Sequence, residues 1–441
     1  MTVHHADTRK IDPSRQRPDG TPADPDRVEI GPTELAFAEW EAAGLEAPHL
    51  PTMRQYRLDR LVSEMARRDL AGLFLTDPLN IRYATDTTNM QIWNMHNPFR
   101  AVLVLADGYM VVWDYKTAPF LSSFNPLVRE ARTSASLFYF EVGDRGHEAA
   151  DALAGEVDAL LRAHAGSNRR LAVDKLMLHG VRAFEAVGLT LLDGEEVAEK
   201  ARAIKGPDEV RAMRCALHTC EAAMAEMERG TLPGMSEVEI WAMLHAGNIK
   251  RGGEWIETRL LATGPRTSPW FQECGPRRLR PNEILAFDTD LVGPYGLCAD
   301  ISRTWWIGDK PPRPDMISDF RMSVDHIEEN MALLRPGVSF RELTEAGHHL
   351  PPAYQRQKYG CKFHGVGLCD EWPMIPYPDG WRPGALDDYV VEPGMCFCVE
   401  VLTSREGGDF SIKLEEQVVV TETGVENLTR YPWDARLMGM A

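Results

Sequence analysis

Five carboxylates and one histidine interrupt apolar segments in the second half of the chain, and together they could hold metal ions. A carboxylate buried among apolar residues costs free energy unless it is paired, hydrogen-bonded or bound to a cation. Any one of the five could instead end a strand and face water. Their number, with few basic residues nearby, indicates a metal cluster. The candidate ligands are Asp288, Asp290, Asp300, His364, Glu400 and Glu415.

The ligand types indicate which ions such a cluster would bind. Asp288 and Asp290 lie two residues apart in "ILAFDTDLV" and therefore face the same side of a strand. Oxygen ligands with a single imidazole suit hard to borderline divalent ions, and a shared carboxylate can bridge two of them. The sequence therefore predicts a site for two divalent metal ions.

A glycine-rich turn surrounds the only histidine of the set. His364 begins His-Gly-Val-Gly within "KFHGVGLCDEWP", residues 362–373, a pattern that could present an imidazole to a metal. Asp370 follows six residues later. It could be a catalytic base beside the metal site or an aspartate that caps a turn.

These residues need elements to position them, and hydrophobic periodicity predicts two domains after an amino-terminal extension. The extension, residues 1–53, is rich in Pro, Asp and Arg but contains the amphipathic "TELAFAEWEAAGL", which could dock on the chain's own core or on a partner subunit. Residues 54–195 alternate helix and strand patterns, which is typical of an α/β domain. Residues 196–441 read as an α+β domain whose strands carry the acidic residues. Two capping-box patterns, "SEVE" and "SFRE", predict helix starts there.

Composition excludes some classes of partner. The chain has 441 residues, with 48 Lys and Arg against 66 Asp and Glu, for a formal charge of −18. This disfavours nucleic acid or an anionic membrane surface as the main partner, since either would select a basic face. The eight cysteines include no CxxC pair, and no apolar run approaches the ~20 residues of a membrane span. We therefore expect a cytoplasmic protein without a disulfide framework.

The order and contexts of the ligands resemble those of the pita-bread metallopeptidases, which include methionine aminopeptidase, aminopeptidase P and prolidase. The resemblance rests on "FDTDLVGPYGLCADISRTW", "HGVG", "EPGMCFCVE" and "KLEEQVVVTETGVENLT". "DPLNIRYATD" and "RAIKGPDE" are similar to the amino-terminal domain and linker of the prolidase and creatinase branch. The resemblance spans about residues 54 to 435. It implies a creatinase-like α/β amino-terminal domain followed by an α+β pita-bread catalytic domain.

The chain departs from the peptidases at three positions near the expected site. Asp290 replaces a glycine, so it could bind metal directly or hydrogen-bond to a ligand. Trp270 occupies the place of one proton-handling histidine, and the other histidine would lie one residue beyond Asp370. Without both histidines, a peptidase would have difficulty protonating a leaving amine. Arg303 is expected to pair with a metal-ligating carboxylate.

One branch of the superfamily is similar in all these respects: the metal-dependent dimethylsulfoniopropionate lyases of marine bacteria. Further similarity lies in "TRKIDPSR", "TELAFAEW", "ATDTTNMQIWNMHNPFR" and "YGCKFHGVGLCDEWP". The resemblance implies cleavage of this substrate to dimethyl sulfide and acrylate, with Asp370 as general base. It also implies that Trp93 and Tyr359 contact the substrate, although Trp93 could equally pack in a core. Trp270 is a possible third aromatic contact, from the sequence alone.

The same resemblance implies a homodimer and two bound metal ions, with iron expected and zinc or manganese chemically acceptable to these ligands. The small-molecule substrate is the only other expected partner. Two other functions remain open at this point. One is an Xaa-Pro dipeptidase or a related metallohydrolase that uses the same metal site. The other is a catalytically silent pita-bread protein that acts as a binding module.

Overall fold

A computed structural model describes residues 16–21, 31–133 and 135–440 of the chain. Tertiary contacts divide it into two units. Among these residues, the first unit comprises residues 16–21 and 48–202, and the second comprises residues 31–47 and 203–440. The contact boundary at Arg202 lies a few residues after the position expected from the sequence, because α8 (Gly194–Arg202) belongs to the first unit. The segment "TRKIDPSR" lies outside the described residues.

The first unit is an α/β domain built on one six-stranded sheet in the order β4-β3-β2-β1-β5-β6. Strands β1 to β3 are antiparallel neighbours, whereas β5 and β6 continue the sheet in parallel. An Asp-Gly turn joins β2 to β3, where Gly108 has a φ of +83°. The strands are β1 (Gly72–Leu75), β2 (Ala101–Leu105), β3 (Met110–Asp114), β4 (Val128–Thr133), β5 (Arg170–Val173) and β6 (Thr190–Asp193).

Helices cover this sheet because their apolar stripes need a core to pack against. Phe74 of β1, Trp113 of β3 and Phe184 are buried together in that core. Beside α8, the helices of this unit are α2 (Leu50–Arg67), α3 (Pro78–Thr85), α4 (Gln91–His96), α5 (Tyr139–Val142), α6 (Gly146–Ala165) and α7 (Leu178–Ala186).

The second unit is α+β, with three sheets and five helices among its described residues. Its sheets have the strand orders β11-β10-β7, β12-β9-β8 and β14-β13-β15-β16-β17. The strands are β7 (Trp255–Ile256), β8 (Leu261–Thr263), β9 (Glu283–Asp288), β10 (Leu291–Val292), β11 (Cys298–Ala299), β12 (Ser302–Ile307), β13 (Cys361–Val366), β14 (Asp370–Pro376), β15 (Cys396–Ser404), β16 (Ser411–Val420) and β17 (Val425–Asn427). The helices are α1 (Glu34–Ala42), α9 (Pro207–Gly230), α10 (Glu237–Ile249), α11 (Pro314–Leu333) and α12 (Phe340–Ala346).

Several local signals in this unit agree with the structure. Pro207 occupies the first position of α9, where its missing N–H leaves no hydrogen bond unmade. Ser236 and Glu239 form the predicted capping box at the start of α10. At α12, the Ser339 hydroxyl accepts from the Glu342 N–H at 3.1 Å.

The amphipathic segment before the first domain docks on the second unit of its own chain. Trp40 of α1 is buried, and its indole N–H donates to the Cys215 carbonyl of α9 at 3.1 Å. The same ring stacks on Tyr295, with 5.9 Å between the ring centroids. Of the two expected docking surfaces, the chain's own core is therefore the observed one.

Candidate metal centre and active site

Strand register places the predicted ligands of β13, β15 and β16 beside one another. Glu400 of β15 lies directly opposite Glu415 of β16, and His364 pairs with the residue two positions before Glu400. Alternation then aims the three side chains at the same face of the sheet. His364 Nε2 lies 3.2 Å from Glu415 Oε1 and 3.6 Å from Glu400 Oε1.

The three aspartates come from β9 and from the segments beside β10 and β11. Asp288 ends β9, Asp290 has a φ of +36°, and Asp300 follows β11. Ligand oxygens of all three lie within 4.8 Å of one another. The Asp290 carboxylate accepts from the Thr258 hydroxyl at 2.8 Å, and its backbone N–H points at Asp300 Oδ1 at 3.4 Å. Asp290 therefore lies within reach of the cluster, as a direct ligand requires.

Asp300 belongs both to this group of three aspartates and to a second group of possible ligands. A carboxylate shared in this way could bridge two ions. The second group consists of Asp300, His364, Cys398 and Glu415, whose ligand atoms also lie within 4.8 Å of one another. All six predicted ligands are thus gathered at one place in the second unit. A mainly oxygen donor set with one imidazole suits divalent metal ions.

The pKa values of the three aspartates are raised. Burial is the main cause that raises the pKa of Asp288, to about 7, with Glu415 and Glu400 adding to it and Lys413 opposing it. Burial and neighbouring carboxylates also raise the pKa values of Asp290 and Asp300. Carboxylates crowded in this way repel one another when ionised, and cations between them would relieve the repulsion.

A buried lysine within the cluster was missed by the sequence analysis. Lys413 Nζ is fully buried and lies 2.8 Å from Glu400 Oε2, 3.0 Å from Asp288 Oδ2 and 3.1 Å from Glu415 Oε2. It also donates to the Ser302 hydroxyl at 2.8 Å. Lys413 stands two residues before Glu415 in β16, so the period of a strand could have identified it. It places one positive charge against three of the five carboxylates.

The prediction that Arg303 pairs with a metal-ligating carboxylate is wrong. Its guanidinium pairs at 2.5 Å with Glu416, the neighbour of the ligand Glu415, and not with a ligand carboxylate. A second N–H donates to the backbone carbonyl of Glu415 at 2.7 Å. Because Glu415 and Glu416 face opposite sides of β16, Arg303 holds the strand from behind the cluster.

Asp370 lies beside the cluster and is open to solvent. It begins β14 and pairs with Val366 of β13, so the turn between these strands presents it near His364. Its Oδ1 lies 3.6 Å from His364 Nδ1, and its side chain is 58% exposed. The Asp370 carboxylate therefore lies next to the ligand candidate His364 and remains open to solvent.

One of the three predicted aromatic contacts, Tyr359, lies at the cluster. Its ring centroid is 4.6 Å from Lys413 Nζ, and Tyr359 also packs against a small apolar group that contains the buried Trp270. Burial is the main cause that raises the pKa of the Tyr359 hydroxyl, and Glu400 adds to it. Trp93 belongs to the first unit, where its ring packs against Phe99, with 5.4 Å between the ring centroids.

Comparison with known proteins agrees with this architecture. Residues 211–422 match metallopeptidase family M24, and residues 57–204 match the creatinase/prolidase N-terminal domain. "Dimethylsulfoniopropionate lyase DddP" of Roseovarius nubinhibens is 60% identical over 446 residues, which cover 100% of both chains. The protein with this name in Roseobacter denitrificans is 61% identical over 447 residues, again covering 100% of both chains. The chain belongs to the DddP family.

Solved structures place the DddP family within the pita-bread fold, as the sequence predicted. An Xaa-Pro dipeptidase from Bacillus anthracis superposes with a TM-score of 0.68 at 21% identity, covering 86% of this chain and 99% of that chain. The prolidase from Pyrococcus horikoshii gives a TM-score of 0.67 at 14% identity with the same coverage. The prediction of a creatinase-like amino-terminal domain followed by a pita-bread domain is therefore confirmed. No helix in the described part of the chain is both long and apolar enough to cross a membrane.

Proposed function

We propose that this chain cleaves dimethylsulfoniopropionate to dimethyl sulfide and acrylate by metal-assisted β-elimination, with Asp370 as the general base. Full-length identity of 60% to two proteins named as such lyases supports the substrate. The observation that carries the mechanism is the exposed Asp370 carboxylate, 3.6 Å from the imidazole of the ligand His364. A carboxylate here can accept a proton from a molecule held at the cluster.

Elimination suits these residues because it requires a base and no acid. Asp370 removes a proton from the carbon beside the substrate carboxylate. That C–H electron pair becomes the second bond of the acrylate double bond, and the C–S bond breaks. Dimethyl sulfide leaves as a neutral molecule with the C–S electron pair, so no residue needs to protonate it. Bound metal ions would supply Lewis acidity that makes this C–H bond more acidic.

The six predicted ligands would hold these ions. We propose two divalent ions bound by Asp288, Asp290, Asp300, His364, Glu400 and Glu415, with iron as the expected metal and zinc or manganese as substitutes. The raised pKa values of the buried aspartates fit this assignment, because a nearby cation favours their ionised forms.

We also propose that the protein is a cytoplasmic homodimer. All eight cysteines are free, which fits a reducing compartment. The segment around α4 exposes three large apolar side chains, which fits a surface covered by a second subunit. These residues are Met90, Ile92 and Met95.

Removing the metal should abolish the activity and destabilise the fold. A ligand that binds only the folded state stabilises it by about 2.7 kcal/mol per site at 100 times its Kd. We expect dialysis against a chelator to stop dimethyl sulfide release and to lower the melting temperature. Adding Fe²⁺ back should restore both, and elemental analysis should then find two ions per chain. Full activity in demonstrably metal-free protein would contradict the proposal.

Tyr359 is the predicted aromatic contact that lies at the cluster, with the Lys413 ammonium 4.6 Å from its ring centroid, and we expect its ring to contact the sulfonium. A cation over an aromatic face is worth about 0.5–2 kcal/mol. We expect Tyr359→Ala to raise KM by roughly 2- to 30-fold, and Tyr359→Phe, which keeps the ring, to leave KM nearly unchanged. Equal KM values in the alanine variant and the wild type would show that the ring does not bind substrate.

The rival activity, hydrolysis of Xaa-Pro dipeptides, can be tested with the same protein preparation. Metal-replete protein is given dimethylsulfoniopropionate in one reaction and a proline dipeptide in another. We expect dimethyl sulfide in the headspace of the first reaction and no free proline in the second. Dipeptide turnover without dimethyl sulfide would reverse the assignment in favour of a peptidase.

A further inference from the structure

The turn between β13 and β14 carries Asp370 and is tied to its surroundings by backbone hydrogen bonds. Within the turn, the Gly367 N–H donates to the Cys369 carbonyl at 3.0 Å. The Cys298 N–H of β11 donates to the Gly367 carbonyl at 2.7 Å. Asp370 itself is exposed, so its side chain owes its position to the turn and not to packing around its own carboxylate.

Glu371, the residue after the proposed base, points back into the turn and is buried. Its Oε1 accepts from the Leu368 N–H at 2.9 Å. Its Oε2 forms an ion pair with Lys205 Nζ at 2.7 Å, and the two side chains are 1% and 3% exposed. Removing one member of such a buried pair leaves an uncompensated charge, which is strongly destabilising locally.

Gly367 leaves room for this buried carboxylate. A Cβ atom at position 367 would lie 2.4 Å from Glu371 Oε2, which is closer than such atoms can approach. The Glu371 carboxylate therefore packs directly on the backbone of the turn. Any shift of Glu371 would release the Leu368 N–H and open space beside Gly367.

Lys205 connects this turn to a strand that bears a metal ligand. Its backbone N–H donates to the Gly394 carbonyl at 2.9 Å, just before β15, which carries Glu400. The ion pair thus links two segments. One is the turn that carries Asp370, and the other is the segment just before β15, the strand that carries Glu400.

We propose that the Lys205–Glu371 ion pair is a positioning device that holds the Asp370 turn at the distance from the metal cluster that proton removal needs. The proposal rests on the proposed function for the role of Asp370. Lys205 and Glu371 act through the turn and do not touch the reacting atoms. A misplacement of about 1 Å in a catalytic group can cost about 100-fold in rate.

The test combines kinetics with amide exchange in the metal-loaded enzyme. We expect Lys205→Met to lower kcat by about 10- to 100-fold while KM and metal content stay within about twofold of wild type. Hydrogen–deuterium exchange should speed up in the peptide that covers residues 366–371, because Glu371 without its Lys205 partner is expected to shift and to release the Leu368 N–H. Lys205→Arg, which keeps the charge, should recover most of kcat. Glu371→Gln keeps the side-chain shape and provides a second variant if Lys205→Met does not fold.

Asp319→Asn serves as the control for general destabilisation. Asp319 is a buried carboxylate of the same unit, paired with Arg405, and it belongs neither to the turn nor to the cluster. The proposal is overturned if Lys205→Met and Glu371→Gln lose no more kcat than Asp319→Asn, or if exchange in residues 366–371 is unchanged. Absence of dimethyl sulfide from the wild type would refute the proposed function instead, and the exchange measurement would still decide whether the pair holds the turn.

Discussion

Asp370→Asn is expected to lower kcat for dimethyl sulfide release by roughly 10²- to 10⁴-fold, the usual contribution of a general base. Asparagine has nearly the same shape as aspartate but cannot accept the substrate proton. Because Asp370 is exposed and is not among the proposed ligands, metal content and melting temperature should stay close to those of wild type. Headspace chromatography measures the rate, and elemental analysis measures the metal.

Asp388→Asn provides the matched control for this change. Asp388 is an exposed aspartate of the same unit, so the control makes the same chemical change away from the proposed site. We expect the control to keep wild-type kcat. If Asp370→Asn also kept it, Asp370 could not be the base, although the lyase activity itself would stand.

Lys413→Met is expected to produce the largest loss of stability, and to do so mainly in metal-free protein. Lys413 places one ammonium within 3.1 Å of carboxylate oxygens of Asp288, Glu400 and Glu415. Removing one partner from a buried ion pair typically costs about 3–5 kcal/mol. Metal ions would restore positive charge to the same carboxylates, so the deficit should shrink when metal is bound.

Denaturant unfolding of metal-free and metal-loaded protein measures this effect directly. Lys413→Arg, which keeps the positive charge, is the comparison variant, and it should lose less stability than Lys413→Met. If Lys413→Met and wild type unfolded with the same free energy in the absence of metal, the ammonium would not be neutralising the cluster.

The parts of the site that follow strand alternation could be predicted from the sequence. Glu400 and Glu415 interrupt apolar strands, and the cost of burying a carboxylate makes such positions conspicuous. The glycine-rich motif around His364 and the spacing of Asp288 and Asp290 identified further ligand candidates. The structure brings these residues together because the register of β13, β15 and β16 aligns them across one sheet face.

The charge partners could not be predicted in the same way. Strand alternation puts Lys413 on the same face of β16 as Glu415, but a lysine in a strand normally faces solvent, so only the structure shows that its side chain lies among three acids. Arg303 was expected to reach a ligand but pairs with Glu416, because alternation in β16 places the two neighbouring glutamates on opposite faces. Pairings of this kind depend on contacts between segments far apart in the chain.

The fold itself was more predictable than the position of single aromatic residues. Helix and strand periodicity indicated an α/β domain followed by an α+β domain, and the comparisons confirm that architecture. The Tyr359 ring lies beside Lys413 of the cluster and Trp93 packs among aromatic rings of the first unit, and the contact of each with substrate stays a prediction. An aromatic residue contributes similar apolar area in a core and in a binding site, so its type alone does not distinguish the two.

Product analysis tests the central claim, β-elimination of dimethylsulfoniopropionate, most directly. Metal-replete protein is incubated with dimethylsulfoniopropionate, and the three-carbon product is identified by proton NMR while dimethyl sulfide is quantified in the headspace. We predict acrylate and dimethyl sulfide in equal amounts. Two results would contradict the claim. One is the absence of dimethyl sulfide, and the other is 3-hydroxypropionate as the product, which requires attack of water at the carbon that bears sulfur.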